Sequence, residues 1–506
     1  MSSFMLAIDQ GTTSTRAVIY DVAGKTISSG QTEHRQIFAQ PGWVEHDASE
    51  IWSNTREVVG MALAKANLTR QHIAAVGITN QRETTVLWDK RTGQALGPAI
   101  VWQDTRTQDF VEKHTADGFA IAMKDISGLR LNTYFSVSKL AWLLDNVPKA
   151  RALAEAGHAA FGTIDSWILW NMTGGADGGV HATDVTNASR TGLMDIYSCT
   201  WSAELCNELD IPLSVLPEIK PSSGHFGVCH ADQLLRDTPI TGILGDQQAA
   251  TFGQAVFEPG AAKNTYGTGC FFNFVTGETP VVSTEGLLTT VAYQLEGQRP
   301  VYGLEGSVAV AGSLVQWLRD NLGIISSSSE VEALAESVPD NGGVFFVPAF
   351  SGLYAPYWRP EARGAIQGLT RFATKAHLAR AAIESTAFQV HDVVACVSAE
   401  KLSDGGALKE LRVDGGMAVN NALMQFQADI LGIDVIRPQN VETTSLGAAF
   451  AAGLAVGFWE DLDALRSLWS EERRFTPSMD EDTRKSYLGQ WNRAVGNTVG
   501  WLDPLT

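Results

Sequence analysis

The chain has 506 residues, 37 Lys+Arg against 56 Asp+Glu, and a formal net charge of −19. With 44% hydrophobic and 18% charged residues it is too apolar for a disordered chain, and its length accommodates two or three domains, each with its own core. The acidic balance argues against nucleic acid or an anionic membrane as the main partner, because both are held by net positive surface.

The N-terminus has no basic segment before its apolar stretch, and Asp9 interrupts that stretch, so it does not read as a secretory signal. Phe4–Ile8 and Ala17–Tyr20 read as strands joined by the turn Gln10-Gly11-Thr12-Thr13-Ser14-Thr15. Gly24-Lys25-Thr26 is not a phosphate-binding P-loop, since Ile19 stands where that motif needs a glycine; a hairpin turn is expected. Ile73–Thr79 and Thr84–Trp88 are predicted strands, and Ser136–Leu144 is a predicted helix with Val137, Leu140, Leu143 and Leu144 on its apolar face. The strand Ile240–Leu244 runs into Gly245-Asp246-Gln247-Gln248. A second strand–turn–strand unit follows: Ala261–Tyr266, Gly267-Thr268-Gly269, Cys270–Val275. Ser326–Ser329 reads as a surface loop, Gly343–Val347 as a strand, and Leu411–Val413 as a strand entering Asp414-Gly415-Gly416. Asn421–Leu431 is a predicted helix with Leu423, Phe426, Ile430 and Leu431 buried. The longest apolar run, Leu446–Trp459, falls short of the roughly 20 residues a membrane span needs. The charged stretch Glu471–Asp482 is expected to be solvated.

Alternating strands and helices indicate sheets covered by helices. Two matched strand–turn–strand openings indicate two related α/β domains, divided as 1–251 and 252–506. Cys199, Cys206, Cys229, Cys270 and Cys396 are scattered with no C-x-x-C, which fits free thiols in a reducing cytoplasm rather than a disulfide scaffold or zinc site.

Asp9 closes a strand and is followed by hydroxyls and backbone amides in a tight turn. Such a turn can cradle phosphate oxygens and bring a carboxylate near a hydrated Mg²⁺, although a plain hairpin has the same composition. Gly267-Thr268-Gly269 has the same double reading. Two such turns together with Asp414-Gly415-Gly416 point to a nucleotide held between two domains, glycine allowing close backbone approach. Asp246 stands at the carboxyl end of a strand, where open α/β sheets place reactive groups; a helix-capping Asp is the alternative. Arg82-Glu83 is either a solvated surface pair or, given its flanking strands, a buried one. Trp102, Tyr134 and Phe271 are core aromatics or ligand walls.

Taken together, several segments resemble the FGGY carbohydrate kinases, in particular members that act on glycerol. They are Asp9-Gln10-Gly11-Thr12-Thr13-Ser14, Pro41-Gly42-Trp43-Val44-Glu45-His46-Asp47, Gly77-Ile78-Thr79-Asn80-Gln81-Arg82-Glu83-Thr84, Gly245-Asp246-Gln247-Gln248, Asn264-Thr265-Tyr266-Gly267-Thr268-Gly269-Cys270 and Arg412-Val413-Asp414-Gly415-Gly416. Two broader signatures match as well, one over Tyr134–Trp142 and one from Gly364 through Gly368-Leu369 to Glu384.

The resemblance implies a two-domain actin-like, ribonuclease-H-like ATPase fold with an interdomain cleft. It implies ATP-dependent phosphorylation of glycerol to sn-glycerol 3-phosphate, in glycerol uptake and catabolism, by a cytoplasmic homodimer or homotetramer. It assigns Arg82, Glu83, Tyr134, Asp246 and Gln247 to the polyol hydroxyls, and Trp102 and Phe271 to the aromatic walls. Thr12, Thr13, Ser14 and Arg16 fall to the phosphate-side turn, and Thr268, Gly312, Gln316, Gly416 and Asn420 to the nucleotide side. Asp246 is the implied base, whose pKa need not be raised because the hydroxyl proton can leave late. Asp9 and Asp246 would meet Mg²⁺ through water.

The chain departs from the family pattern at Asn132-Thr133, where Asp-Pro is usual, and at Tyr354, where Gly is usual. The segment His230–Asp237 lacks the glycines of the loop that binds fructose 1,6-bisphosphate in some relatives, so weak or absent inhibition by that sugar is expected. Two alternatives stay open at this point: a kinase for erythritol, ribulose or xylulose, and a non-catalytic actin-like ATP sensor.

Overall fold

The computed structural model describes residues 4–230, 234–400, 402 and 408–501. The opening hairpin forms as expected, with β1 (Phe4–Gln10) antiparallel to β2 (Ser14–Tyr20), and β3 (Thr26–Glu33) extending the sheet. With β4 (Ile73–Asn80), β5 (Ser223–Val228) and β6 (Pro239–Gly245) they make a six-stranded sheet in the order β5-β6-β4-β1-β2-β3. Along β1, Leu6 and Ile8 enter one buried cluster and Met5 and Ala7 another. Side chains on successive residues point to opposite faces, so a strand covered on both faces must be apolar throughout.

The second half builds a seven-stranded sheet. Its strands are β7 (Ala262–Tyr266), β8 (Cys270–Gly277), β9 (Leu288–Tyr293), β10 (Val301–Val308), β11 (Glu410–Asp414), β12 (Asp434–Pro438) and β13 (Glu471–Phe475), in the order β9-β10-β8-β7-β11-β12-β13. The β7–β8 hairpin repeats the geometry of β1–β2, and β7 runs parallel to β11 as β1 runs parallel to β4.

Helices cover both sheets. Those that position the site are α1 (Ala48–Lys65), α2 (Ser136–Asn146), α3 (Ile164–Met172), α4 (Asp246–Gly253), α5 (Gly312–Asp320), α6 (Lys375–Ala399), α7 (Asn421–Leu431) and α8 (Thr443–Ala455). Two predicted strands begin later than their composition indicates. Val86–Asp89 is delayed because Glu83 takes a left-handed backbone at φ 62°, and Phe345–Val347 because Gly342 and Gly343 lie at φ 61° and 78°.

The apolar run from Leu446 is accounted for by α8, which belongs to the second half by sequence yet packs on β1, β4 and β6 of the first sheet. No helix among the described residues is long and apolar enough to cross a membrane. Thr241 and Ser223 hydroxyls donate to Ala452 O (2.9 Å) and Ala451 O (2.8 Å), fastening the end of α8 to the sheet. Helices α4 and α8 cross in close contact. A Cβ on Gly447 would lie 1.8 Å from Ala249 O, and one on Gly253 would lie 2.0 Å from Thr443 O. Only hydrogen fits at these positions, which explains the small-residue composition of the run. Gly447→Val should therefore lower the unfolding free energy by about 3 kcal/mol or more through overpacking; an unchanged urea midpoint would show that the crossing tolerates a side chain.

Candidate active site

Strand register places the first half of the site. Asp9 lies opposite Thr79 and Gln10 opposite Asn80, while on the other side Leu244 lies opposite Thr79 and Gly245 opposite Asn80. The carboxyl ends of β1, β4 and β6 thus finish level, and Asp9, the Gln81-Arg82-Glu83 segment and Asp246 emerge along one edge. Asp246 begins α4, with Gly245 at the cap position, so it is not the capping residue itself.

The β1–β2 turn is braced from behind. Gly11 N–H donates to Ser14 O (2.9 Å), Gln81 Nε2 donates to Gly11 O (3.1 Å) and Gln36 Nε2 donates to Thr12 O (2.9 Å). Thr13 is exposed, Ser14 Oγ accepts from Gln31 Nε2 (3.1 Å), and Arg16 pairs with Glu442 of the second half. Trp102 Nε1 donates to Thr12 Oγ1 (3.0 Å), so the aromatic wall is tied to the turn. Its ring lies 5.4 Å from that of Tyr134 and 6.4 Å from that of Phe271, which β8 brings in from the second half. Tyr134 is held by Lys139, a fully buried lysine on α2 whose Nζ donates to the carbonyls of Thr133, Tyr134 (2.9 Å) and Phe135 (3.3 Å). The unusual Asn132-Thr133 pair is accommodated in that turn, where Asn132 Oδ1 accepts from Tyr134 N–H (3.0 Å). Tyr354 sets its ring 6.5 Å from Tyr134, extending the same wall.

The remaining predicted residues gather at the carboxyl ends of β7 and β11. Ala311 N–H donates to Thr268 O (2.9 Å) and Gly312 N–H to Gly267 O (3.0 Å), setting the start of α5 on the β7–β8 turn. Met417 N–H donates to Tyr266 O (3.0 Å), which fixes Gly416 beside it. Gln316 is exposed on α5. Asn420 caps α7, its Oδ1 accepting from Leu423 N–H at 2.8 Å.

The FGGY family of carbohydrate kinases matches this chain twice, its N-terminal domain over residues 4–253 and its C-terminal domain over residues 262–456. The chain belongs to the FGGY family of carbohydrate kinases. It is 62% identical to the glycerol kinase of Pseudarthrobacter chlorophenolicus over 503 residues, covering 99% of each chain. It is 60% identical to that of Paenarthrobacter aurescens with the same coverage. The crystal structure of Plasmodium falciparum glycerol kinase with ADP matches at a TM-score of 0.91 and 41% identity, over 99% of each chain. A ligand-bound xylulose kinase from Lactobacillus acidophilus matches at a TM-score of 0.86 and 22% identity, over 98% of this chain and 97% of that one, which speaks to the fold alone. The two-domain α/β kinase architecture expected from the sequence is the one observed, and the chain is an enzyme of this family rather than a non-catalytic sensor.

At the heart of this FGGY kinase, Arg82 and Glu83 are both buried, which decides against a solvated surface pair. Arg82 Nη1 and Nη2 grip Glu305 Oε2 and Oε1 at 2.6 and 2.7 Å. Arg82 Nε lies 3.1 Å from Asp246 Oδ1. Glu83 accepts from Arg190 Nε at 2.6 Å, and Arg190 Nη2 lies 3.5 Å from Glu305. Lys263 Nζ donates to Gln247 Oε1 (2.6 Å) and Thr265 Oγ1 (2.9 Å). Burial pushes the Asp246 carboxyl above its usual range, with Arg82 and Lys263 drawing it back; 29% of its side chain is exposed, so water moderates the effect. For Glu305 burial works in the same direction, but Arg190 and Arg82 overcome it and hold the carboxylate at about 2. Burial draws Lys263 down to about 8.

Asp9 is pushed up to about 7 by burial; Arg16 opposes this, and the neighbouring Asp246 and Glu442 add to it. A carboxyl so short of positive charge, beside a second one, is a place where a cation is stabilising. Among the described residues no three His, Cys, Asp or Glu side chains group to hold a metal. A pair of carboxylates nevertheless suits Mg²⁺, which keeps several waters and takes its other ligands from phosphate.

Sequence reasoning missed Glu305, Arg190 and Lys263. Glu305 did leave a signal, as the one charge in a largely apolar strand; Lys263, in the mixed strand Ala-Lys-Asn-Thr-Tyr, and Arg190 left none. Removing one partner of the buried group should be costly. Glu83→Leu strands Arg190 and should lower the unfolding free energy by about 3–5 kcal/mol, whereas Glu442→Gln, at the partly exposed Arg16 pair, should change it by less than about 1 kcal/mol; comparing the two urea transitions checks the contrast.

Proposed function

We propose that this FGGY kinase transfers the γ-phosphoryl group of ATP to a primary hydroxyl of glycerol, giving sn-glycerol 3-phosphate and ADP, with Asp246 as the base. The observation that supports this reading is the placement of Arg82 beside Glu83 and Asp246, with the Trp102, Tyr134 and Phe271 rings set against one another. A small triol offers only hydroxyls and a short carbon chain, and this set supplies charged hydrogen-bonding groups for the first and aromatic faces for the second. Full-length similarity to named glycerol kinases supports the same acceptor.

Phosphoryl transfer asks for positioning and charge neutralisation more than for covalent help. Glu83 and Arg82 orient the hydroxyls. Asp246, at the start of α4 and facing the cleft, receives the proton as the hydroxyl oxygen bonds to the γ-phosphorus and the bond to the β-bridging oxygen breaks. Arg82 beside it opposes the upward shift that burial gives the Asp246 carboxyl. The braced turn at Thr12, Thr13, Ser14 and Arg16 takes the phosphate side, and Thr268, Gly312, Gln316, Gly416 and Asn420 take the nucleotide. Mg²⁺, when bound near Asp9 and Asp246 through water, neutralises phosphate charge. The units 1–251 and 252–506 close on the substrates, with α8 of the second laid on the sheet of the first as the hinge, and closure excludes water that would hydrolyse ATP. The chain works in the cytoplasm as a homodimer or homotetramer, in glycerol uptake and catabolism.

A coupled ADP-release assay with ATP, Mg²⁺ and a panel of glycerol, erythritol, ribulose and xylulose tests this reading. Glycerol should give the fastest release, and Asp246→Asn should lower it by about 10²–10⁴-fold while circular dichroism stays native. A variant that keeps its turnover would remove Asp246 from the role of base, and a faster ketose would move the acceptor.

Fructose 1,6-bisphosphate should inhibit weakly or not at all. Its expected segment offers no glycine loop, and Asp237 at the end of that segment lies 3.4 Å from Arg70, meeting the nearby cation with a carboxylate. Residues 231–233 of the segment lie outside those described. Full inhibition at low millimolar sugar would refute this expectation.

A further inference from the structure

Glu305 lies near the middle of β10, in the body of the second sheet, paired in register with Asn273 on β8 and Leu288 on β9. It is 0% exposed. An ionised carboxylate in such a place is costly unless it is well paired, and every cation that meets it is worth accounting for. Its partners in hydrogen-bond or ion-pair contact, Arg82 and Arg190, both come from the first half of the chain. Lys263 on β7 adds to the positive field around it. Arg82, Glu83, Arg190 and Glu305 form a closed ring, with successive contacts of 4.0, 2.6, 3.5 and 2.6 Å. The ring is neutral, and only Glu305 is supplied by the second sheet.

The arginine fork explains why this matters. Arg82 has five N–H donors. One Nη1 hydrogen and one Nη2 hydrogen go to Glu305, the second Nη1 hydrogen goes to Gln248 Oε1 (3.1 Å), and Nε faces Asp246. One Nη2 hydrogen is left over. Without Glu305, the fork has two other carboxylates within reach, Glu83 and Asp246, and a bidentate grip on either would turn the guanidinium away from its present plane.

We infer that Glu305 is a positioning residue for the acceptor: by holding the Arg82 fork from the second sheet, it completes the acceptor-binding face only when the two halves are docked as they are here. It does not touch substrate. Acceptor affinity is therefore linked to the approach of the two halves, whereas the nucleotide group around Thr268, Gly312 and Gly416 lies outside the ring. This inference rests on the reading of Arg82 as an acceptor-binding residue, and it holds for whichever polyol or ketose the native chain phosphorylates best.

Steady-state kinetics of Glu305→Gln and Glu305→Asp, run beside Asp246→Asn, test it. Glu305→Gln keeps the shape and removes the charge; it should raise the acceptor KM about 10-fold or more with the ATP KM within about 2-fold of native. Glu305→Asp keeps the charge but retracts it by one methylene, losing one arm of the fork; it should raise the acceptor KM about 3-fold and leave the ATP KM alone. A loss of folded protein alone would lower the apparent kcat without moving either KM, so the split separates positioning from mere stability. Should Glu305→Gln fail to fold, Glu305→Asp carries the test. An unchanged acceptor KM in a folded variant, or equal rises in both KM values, overturns the inference. A different best acceptor, or turnover retained in Asp246→Asn, overturns the proposed acceptor or base and leaves the Glu305 result to be read on its own.

Discussion

Two arginines and two glutamates, closed into a ring away from water, set the conditions for everything around the cleft. Each of these charges alone would cost several kcal/mol to bury, and together their geometry recovers that cost only if all four are present and in contact. Arg82 and Glu83 belong to a turn after β4, Arg190 to the segment after a short helix, and Glu305 to a strand more than a hundred residues further on. The ring therefore requires the two sheets to be assembled before these four side chains have a defined place. It also explains a local oddity. Glu83 accepts a left-handed backbone at φ 62°, a cost of order 1–3 kcal/mol that a non-glycine residue bears only when surrounding contacts insist on it; here the Arg190 contact and the Ser136 hydroxyl bonded to Glu83 O (2.9 Å) do so.

The rest of the cleft follows from duplicated geometry. In each half a hairpin opens the sheet and its first strand runs parallel to a later one, so that a tight turn and a strand end finish side by side. In the first half this alignment presents Asp9, Arg82 and Asp246; in the second it presents Thr268 and Gly416. The turns differ in how they are supported. The first has its Gly11 and Thr12 carbonyls taken by Gln81 and Gln36, and the second serves as the platform on which α5 starts. Trp102 ties the first turn to the aromatic group directly, its Nε1 bonded to Thr12 and its ring 5.4 Å from that of Tyr134.

Helix α8 shows how the halves are joined. It leaves the second sheet, lies across β1, β4 and β6 of the first, and crosses α4, the helix that Asp246 begins. Glycine at Gly253 and Gly447 lets the backbones touch, so the crossing is held by direct backbone contact. Asp246 thus sits at the origin of a helix whose packing partner comes from the other half.

Much of this was legible in the residues. The hairpins, the parallel strands and the helix Asn421–Leu431 follow from periodicity, because burial on one or both faces leaves a regular apolar pattern. The motif residues are assigned to one site by their resemblance to the FGGY carbohydrate kinases, since the glycine and threonine turns alone are also those of plain hairpins. Tertiary structure alone decided that Arg82-Glu83 is buried, that Arg190, Glu305 and Lys263 share its charge, and that an Ala/Gly-rich run from the second half is the backing of the first sheet. The reason is physical: periodicity records which face of an element is covered, but it does not record by what. A buried charge is specified by the opposite charge that meets it, and here that partner comes from a distant strand whose own sequence shows only a lone acid among apolar neighbours.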